Sequence, residues 1–282
     1  MILIQRSSAP PELAAVQNTQ LAKLRAFIQT QGHDPGADDI DGYRIAAVTS
    51  KLLAMQHGKC CYCERHILEK YYDVEHYRPK TCANRQTTNN DGCTATHGYW
   101  WLAFAWHNLL FACPNCNRTH KNTWFPLAKE SVALRAEAQP PGQEQPLLID
   151  PSGEINPVEH IEFYFDQSIP TIDRWNVRER NRSLRGRETI RVLGLDTNAY
   201  ITKHTSIVES RIKPKVAQFN QYWDKPDIIR ALFQSAHDML APNWDYSALH
   251  YDALRHYIPN ARLQDCIKQS WPEPAQIGRY AK

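Results

Sequence analysis

The chain has 282 residues, enough to bury a substantial core as one large domain or two modest ones without support from disulfides or oligomerisation. Its 33 basic and 30 acidic residues leave a net charge of +3, which over the whole length favours no class of partner. The opening residues carry no basic stretch followed by an apolar run, and no apolar run is long enough to cross a bilayer, so a soluble, cytoplasmic protein is expected.

The first pattern, "PPELAAVQNTQLAKLRAFIQTQG", begins with prolines suited to a helix entrance. Leu13, Leu21, Leu24 and Ile28 then recur at helical spacing, which predicts a helix ending near Gly32. After the loop "HDPGADDIDG" comes "YRIAAVTSKLLAMQHG", a second helical pattern closed by Gly58. From Lys59 to Leu127 the character changes, and cysteines, histidines and aromatics concentrate. Within this window "TCANRQTTNNDGCTATHG" reads as an exposed loop; its Cys82 and Cys93 offer ligands for a second metal, but isolated loop cysteines without paired spacing are more often incidental.

"AQPPGQEQP" reads as a linker or surface connection, and "LLIDPSGEINPVEHIEFYF" as an apolar run, a turn and an alternating strand. The segment "RWNVRERNRSLRGRETIR" carries Arg174, Arg178, Arg180, Arg182, Arg185, Arg187 and Arg191 against Glu179 and Glu188. Two readings stand for it: a stripe that neutralises phosphates, or a solvated helix face with intrahelical ion pairs. In "TIRVLGLDTNAY" Gly194 can stop one helix, and Asp196 or Thr197 can cap the next. Three more helical patterns follow, the clearest being "KPDIIRALFQSAHDML" with Ile229, Leu232, Phe233, Ala236 and Leu240 on one face. The expected organisation is a helical segment over 1–58, a chemical core over 59–128, and a mainly helical region over 129–282 for partner or nucleic-acid contacts.

Four of the eight cysteines fall into two Cys-x-x-Cys pairs, Cys60 with Cys63 and Cys113 with Cys116. In a long chain without an export signal that spacing points to metal, and two such knuckles supply the four thiolates of a closed, structural zinc site. Cys61 is then the spare. Such a site has no open position for substrate, so chemistry has to come from its neighbours Glu75, His76, Asn108, Asn117, His120 and Lys121. The dense aromatics Tyr99, Trp100, Trp101, Phe104 and Trp106 read as packing, and His160 as structural.

The ordered set "CCYCE", "DVEHYRPK" and "GYWWLAFAWHNLLFACPNCNRTHK", followed by "FPL", resembles the HNH endonuclease superfamily in its zinc-knuckle form. With "LLIDP", His160 and "TIRVLGLD" added, the chain looks like the PtuB-like HNH proteins of Septu-type bacterial anti-phage systems. The resemblance implies an α+β fold, with a small ββα-metal core and a structural four-cysteine zinc site embedded in a mainly helical protein. It implies a metal-dependent endonuclease that hydrolyses phosphodiester bonds of DNA beside a PtuA-like ATPase partner. RNA cleavage, or a non-catalytic zinc-stabilised module that binds nucleic acid or a partner, are the alternatives.

Position by position, the resemblance makes His76 the general base and Asn108 the residue that braces the hairpin loop. Glu75 and Asn117 become ligands of a catalytic Mg²⁺ or Mn²⁺, with Asp73 and His120 as rivals. Lys121, Arg78 and Lys80 become phosphate contacts. Here the chain departs from the family pattern: Glu75 stands where an Asp is usual, and Asn117 where many members have a His. Adjacent strand residues also point to opposite faces, so Glu75 and His76 converge only if the strand ends or bulges there.

Overall fold

In the computed structural model, which describes residues 1–68, 71–86, 96–135, 137, 144–168 and 173–278, the first pattern forms α1, Pro11–Gln31. Gly32 ends it in the left-handed region at φ 74°, with its N–H on the Ile28 carbonyl. Leu13, Leu21 and Leu24 are buried, while Ile28 is half-buried. The second helix, α2, is shorter than its pattern and spans Ala46–Met55. Tyr43 and Arg44 therefore precede it, outside any helix or strand. Cys93 and residues 138–143 of the expected surface connection lie outside the described residues.

The chain divides into two compact bodies, one of residues 5–62 and 66–152, the other of 1–4, 63–65 and 153–282. At the heart of the first, β1 (Asp73–His76) pairs antiparallel with β4 (Leu109–Ala112), placing Asp73 opposite Ala112 and His76 opposite Leu109. Both strands are buried throughout. One edge of this pair is completed by a side chain: the Gln56 amide donates to the Phe111 carbonyl at 2.7 Å and accepts its N–H at 2.8 Å, imitating a third strand. The short strands β2 (Cys82–Ala83) and β3 (Thr96–His97) form a second pair. A short helix, Asn115–Lys121, follows β4, so two antiparallel strands lead into one helix. Tyr99, Trp100, Trp101 and Phe104 are buried in this body, and Trp106 donates its indole N–H to the Ser7 carbonyl.

In the second body β5 (Ile161–Asp166) and β6 (Arg174–Glu179) form an antiparallel hairpin. Helices α3 (Leu184–Leu193) and α4 (Asn198–Ile207) pack on β6. Past α4 the described residues hold four further α-helices where three patterns were expected: α5 (Lys213–Tyr222), α6 (Pro226–His237), α7 (Ser247–Tyr257), which packs on β5, and α8 (Asn260–Ile267). Ser183 caps α3 by accepting from the Gly186 N–H, and Gly194 ends it at φ 57°. Gly186 is demanded by packing, since a Cβ there would overlap the His160 carbonyl.

The arginine-rich segment is not one helix face. Its first part is β6 and its last part α3, and five of its seven arginines pair with acids of the same body. Arg178 meets Glu162 at 2.7 Å, Arg180 meets Asp252 at 2.6 Å and Glu162 at 3.1 Å, and Arg191 meets Glu188 at 2.8 Å. Arg187 meets Glu179 at 3.2 Å and Arg174 meets Asp166 at 3.5 Å. Arg182 and Arg185 make no ion pair among the described residues. No helix among the described residues is long and apolar enough to cross a membrane.

Candidate functional site

The two Cys-x-x-Cys pairs meet. Cys60 and Cys63 come from the turn after α2, Cys113 and Cys116 from the end of β4 and the start of the short helix. Their four sulfurs lie within 4.8 Å of one another, and all four residues are buried. Backbone N–H groups of Cys113 and Cys116 point at the sulfurs of Cys60 and Cys113, each at 3.4 Å, a donation that favours the thiolate form. Tetrahedral zinc with bonds of about 2.3 Å sets its sulfurs about 3.8 Å apart, inside that limit, and four thiolates are its characteristic donor set. This cluster can hold a metal ion. Cys61 is not one of the four: its N–H is tied to the Phe111 carbonyl, and burial pushes its thiol well up, with a side-chain hydrogen bond to Cys60 adding to the rise.

At the end of β1 the His76 ring is buried, with Nε2 2.9 Å from the Ala103 carbonyl. In the neutral ring that contact makes Nε2 the N–H and leaves the lone pair on Nδ1. Burial is the chief reason the imidazole is pushed down to about 3; the carbonyl opposes it, and Lys80, Lys121 and Arg44 add to it. Asn108 locks the chain just beyond. Its side-chain oxygen accepts the Arg78 N–H at 2.7 Å, and its amide donates to the carbonyls of Arg78 and Leu102, both at 3.1 Å. Since Leu102 precedes the residue that holds the ring, one asparagine braces both sides of the histidine.

Tyr43 packs edge-on against the ring, with centroids 4.6 Å apart. Over the same tyrosine lie two cations, Lys80 at 4.8 Å and Arg44 at 5.3 Å from its centroid. Arg44 is exposed and Lys80 half-buried, the latter also donating to the Ile40 carbonyl at 2.9 Å. Tyr43 and Arg44 were not singled out in the sequence. They sit some thirty residues before the histidine, inside what reads as a helix, and carry no motif.

The acids face the other way. Regular pairing continues through His76, so Asp73 and Glu75 share the face toward the short helix while the ring lies on the opposite one. Glu75 Oε1 receives the Lys121 ammonium at 2.7 Å and the Tyr62 hydroxyl at 3.1 Å. Lys121 also donates to the His76 carbonyl at 2.9 Å. Burial raises the Glu75 carboxyl, and the Lys121 charge opposes that rise. Asp73 accepts from Arg118 through both oxygens, and Asn117 donates to its Oδ2 at 3.1 Å.

The phosphate-contact expectations change accordingly. Lys121 is fully buried in an ion pair, because its ammonium is the counter-charge that Glu75 needs away from water. Arg78 is buried too, bound to Glu144 at 3.1 Å and stacked on Phe125 at 5.3 Å. Of the three, Lys80 alone lies over Tyr43, the ring packed against the His76 imidazole. His120 is half-buried and joins no three-ligand group among the described residues. His160 bonds Ser183 at 2.7 Å in the other body.

Fold and site together define a protein of mixed helices and small sheets organised at one point by a buried four-cysteine cluster. The chain is 32% identical over 221 residues to Septu protein PtuB of Bacillus mycoides, covering 77% of this chain and 70% of that one. It is 28% identical over 137 residues to Septu protein PtuB of Bacillus thuringiensis, covering 47% and 43%. The chain belongs to the Septu PtuB family. No family profile and no solved structure matches it.

Proposed function

We propose that this chain is an endonuclease that hydrolyses phosphodiester bonds of nucleic acid, DNA in the first place, as part of a Septu anti-phage defence system with a PtuA-like ATPase partner. The observation that carries the reading is the histidine site: a neutral imidazole at a strand end, fixed by a carbonyl and an asparagine brace, with two cations beside it. Membership of the Septu PtuB family supports the defence setting.

In this reading a phosphodiester enters over Tyr43, and Lys80 and Arg44 bind its non-bridging oxygens. A water on the His76 side gives a proton to Nδ1 as its oxygen attacks phosphorus in line, and the P–O bond to the opposite sugar oxygen breaks, the leaving oxygen taking a proton from solvent. Burial chiefly holds the imidazole down; the anionic substrate offsets the smaller, added effect of Lys80 and Arg44, and to that extent the ring gains proton affinity when substrate is present. Asn108 positions the loop and touches no reacting atom. Zinc fits the thiolate cluster, where Cys60, Cys63, Cys113 and Cys116 would hold it and it would supply rigidity, fixing the short helix beside β1.

The catalytic Mg²⁺ or Mn²⁺ expected at Glu75 and Asn117 does not fit these side chains as arranged. The Glu75 oxygen already holds an ammonium and a hydroxyl, and the Asn117 amide donates to Asp73. The test is cleavage of plasmid DNA and of total RNA by the zinc-loaded chain, alone and with its ATPase partner, with added Mg²⁺ or Mn²⁺ or with EDTA. We expect cleavage that His76→Ala lowers about 100-fold or more. Cleavage untouched by that change would refute the assignment.

A further inference from the structure

The disagreement between Glu75 and the expected ion is itself informative. We infer that Lys121 is an ammonium plug: it and a divalent cation are mutually exclusive occupants of the Glu75 carboxylate. The inference concerns binding, and it rests on the nuclease reading only for its biological meaning.

Three observations carry it. Lys121 has no accessible surface, and Glu75 has 3%. The ammonium is anchored twice, on Glu75 Oε1 at 2.7 Å and on the His76 carbonyl at 2.9 Å, so it bridges two consecutive residues of β1. Tyr62, also fully buried, donates to that same oxygen at 3.1 Å. A hard divalent ion binds carboxylate oxygen at about 2.0–2.6 Å and keeps waters around itself. On Oε1 it would compete for the place held by the ammonium at 2.7 Å. Two cations sharing one buried oxygen would also leave a positive charge without a partner.

The neighbouring acid is closed by the same device. Arg118, three residues earlier on the short helix, holds both Asp73 oxygens, so the acid face of β1 is neutralised by cations of a single helix. A divalent ion reaches Glu75 only when Lys121 leaves. That departure must break the lysine's bond to the His76 carbonyl as well, coupling occupancy of the acid to the backbone of the histidine.

The experiment titrates Mn²⁺ by electron paramagnetic resonance into the zinc-loaded full chain without nucleic acid. Wild type and Glu75→Gln are expected to bind Mn²⁺ equally weakly, because Lys121 already neutralises the carboxylate and holds its Oε1. Lys121→Met is expected to bind at least ten-fold more tightly, Lys121→Arg to stay like wild type, and the Glu75→Gln/Lys121→Met double variant to lose the gain. Lys121→Met binding no tighter than wild type would overturn the proposal. So would tight wild-type binding that Glu75→Gln abolishes, and this second comparison holds even if Lys121→Met fails to fold. Because no substrate is present, failure here leaves the cleavage test standing, and the reverse also holds.

Discussion

His76 and Asn108 illustrate how little of a residue's role lies in its own identity. A histidine at this strand end could take either tautomer, and the Ala103 carbonyl decides which ring nitrogen keeps its lone pair. Asn108 is 1% exposed and satisfies three backbone groups from two separate segments. Asn108→Ala would leave those groups buried without partners, so we expect a loss of roughly 2–3 kcal/mol in urea denaturation. Cleavage by that variant should fall as well, because the histidine loses its brace. A variant with wild-type stability would mean that water replaces the amide at no cost.

The element that matters most is the pair β1 and β4 with the short helix behind it, and its shape depends on the thiolate cluster. The strands are four residues each, too short to be stable as an isolated pair in water. Tying the turn at Cys60 and Cys63 to the segment at Cys113 and Cys116 offsets the chain entropy of a loop of about fifty residues. We therefore expect removal of zinc by a strong chelator, or Cys113→Ser, to abolish hydrogen-exchange protection of residues 73–76 and 109–112. Cys82→Ser, outside the cluster, should leave that protection unchanged. Protection that survives chelation would show that packing of Val48, Leu52 and Phe111 suffices.

At the scale of the molecule, buried ionisable groups set the response to acid. His76 and His204 are each pushed down to about 3 and His250 to about 4, burial being the leading cause for all three. The unfolded chain protonates histidine near 6.5, before the native state does, so their contribution is intact above that pH and shrinks as pH falls toward 4. Asp252, raised to about 6 by burial, acts in the opposite sense, its contribution being lost as pH rises from about 4 through 6. Three histidines outweigh the two carboxyls that burial raises, Asp252 and Glu75, at up to about 1.4 kcal/mol per pH unit each. The urea midpoint should therefore drop steadily from pH 7 to pH 5, and a flat midpoint would show that these rings protonate within the folded protein.

Local chemistry was legible in the amino-acid order. Gly32 and Gly194 end their helices because only backbone at positive φ can do so there without cost, and the cysteine spacing announced a four-thiolate cluster because knuckle geometry depends on neighbours in the chain. The same order could not say where long cations would point. Lys121 turned inward to Glu75, Arg180 found Asp252 on α7, and Tyr43 with Arg44 arrived at His76 from a stretch that carries no motif. A charge is paired by whatever lies within a few ångströms, and for these residues that neighbour is far away along the chain. Tertiary packing alone decides it.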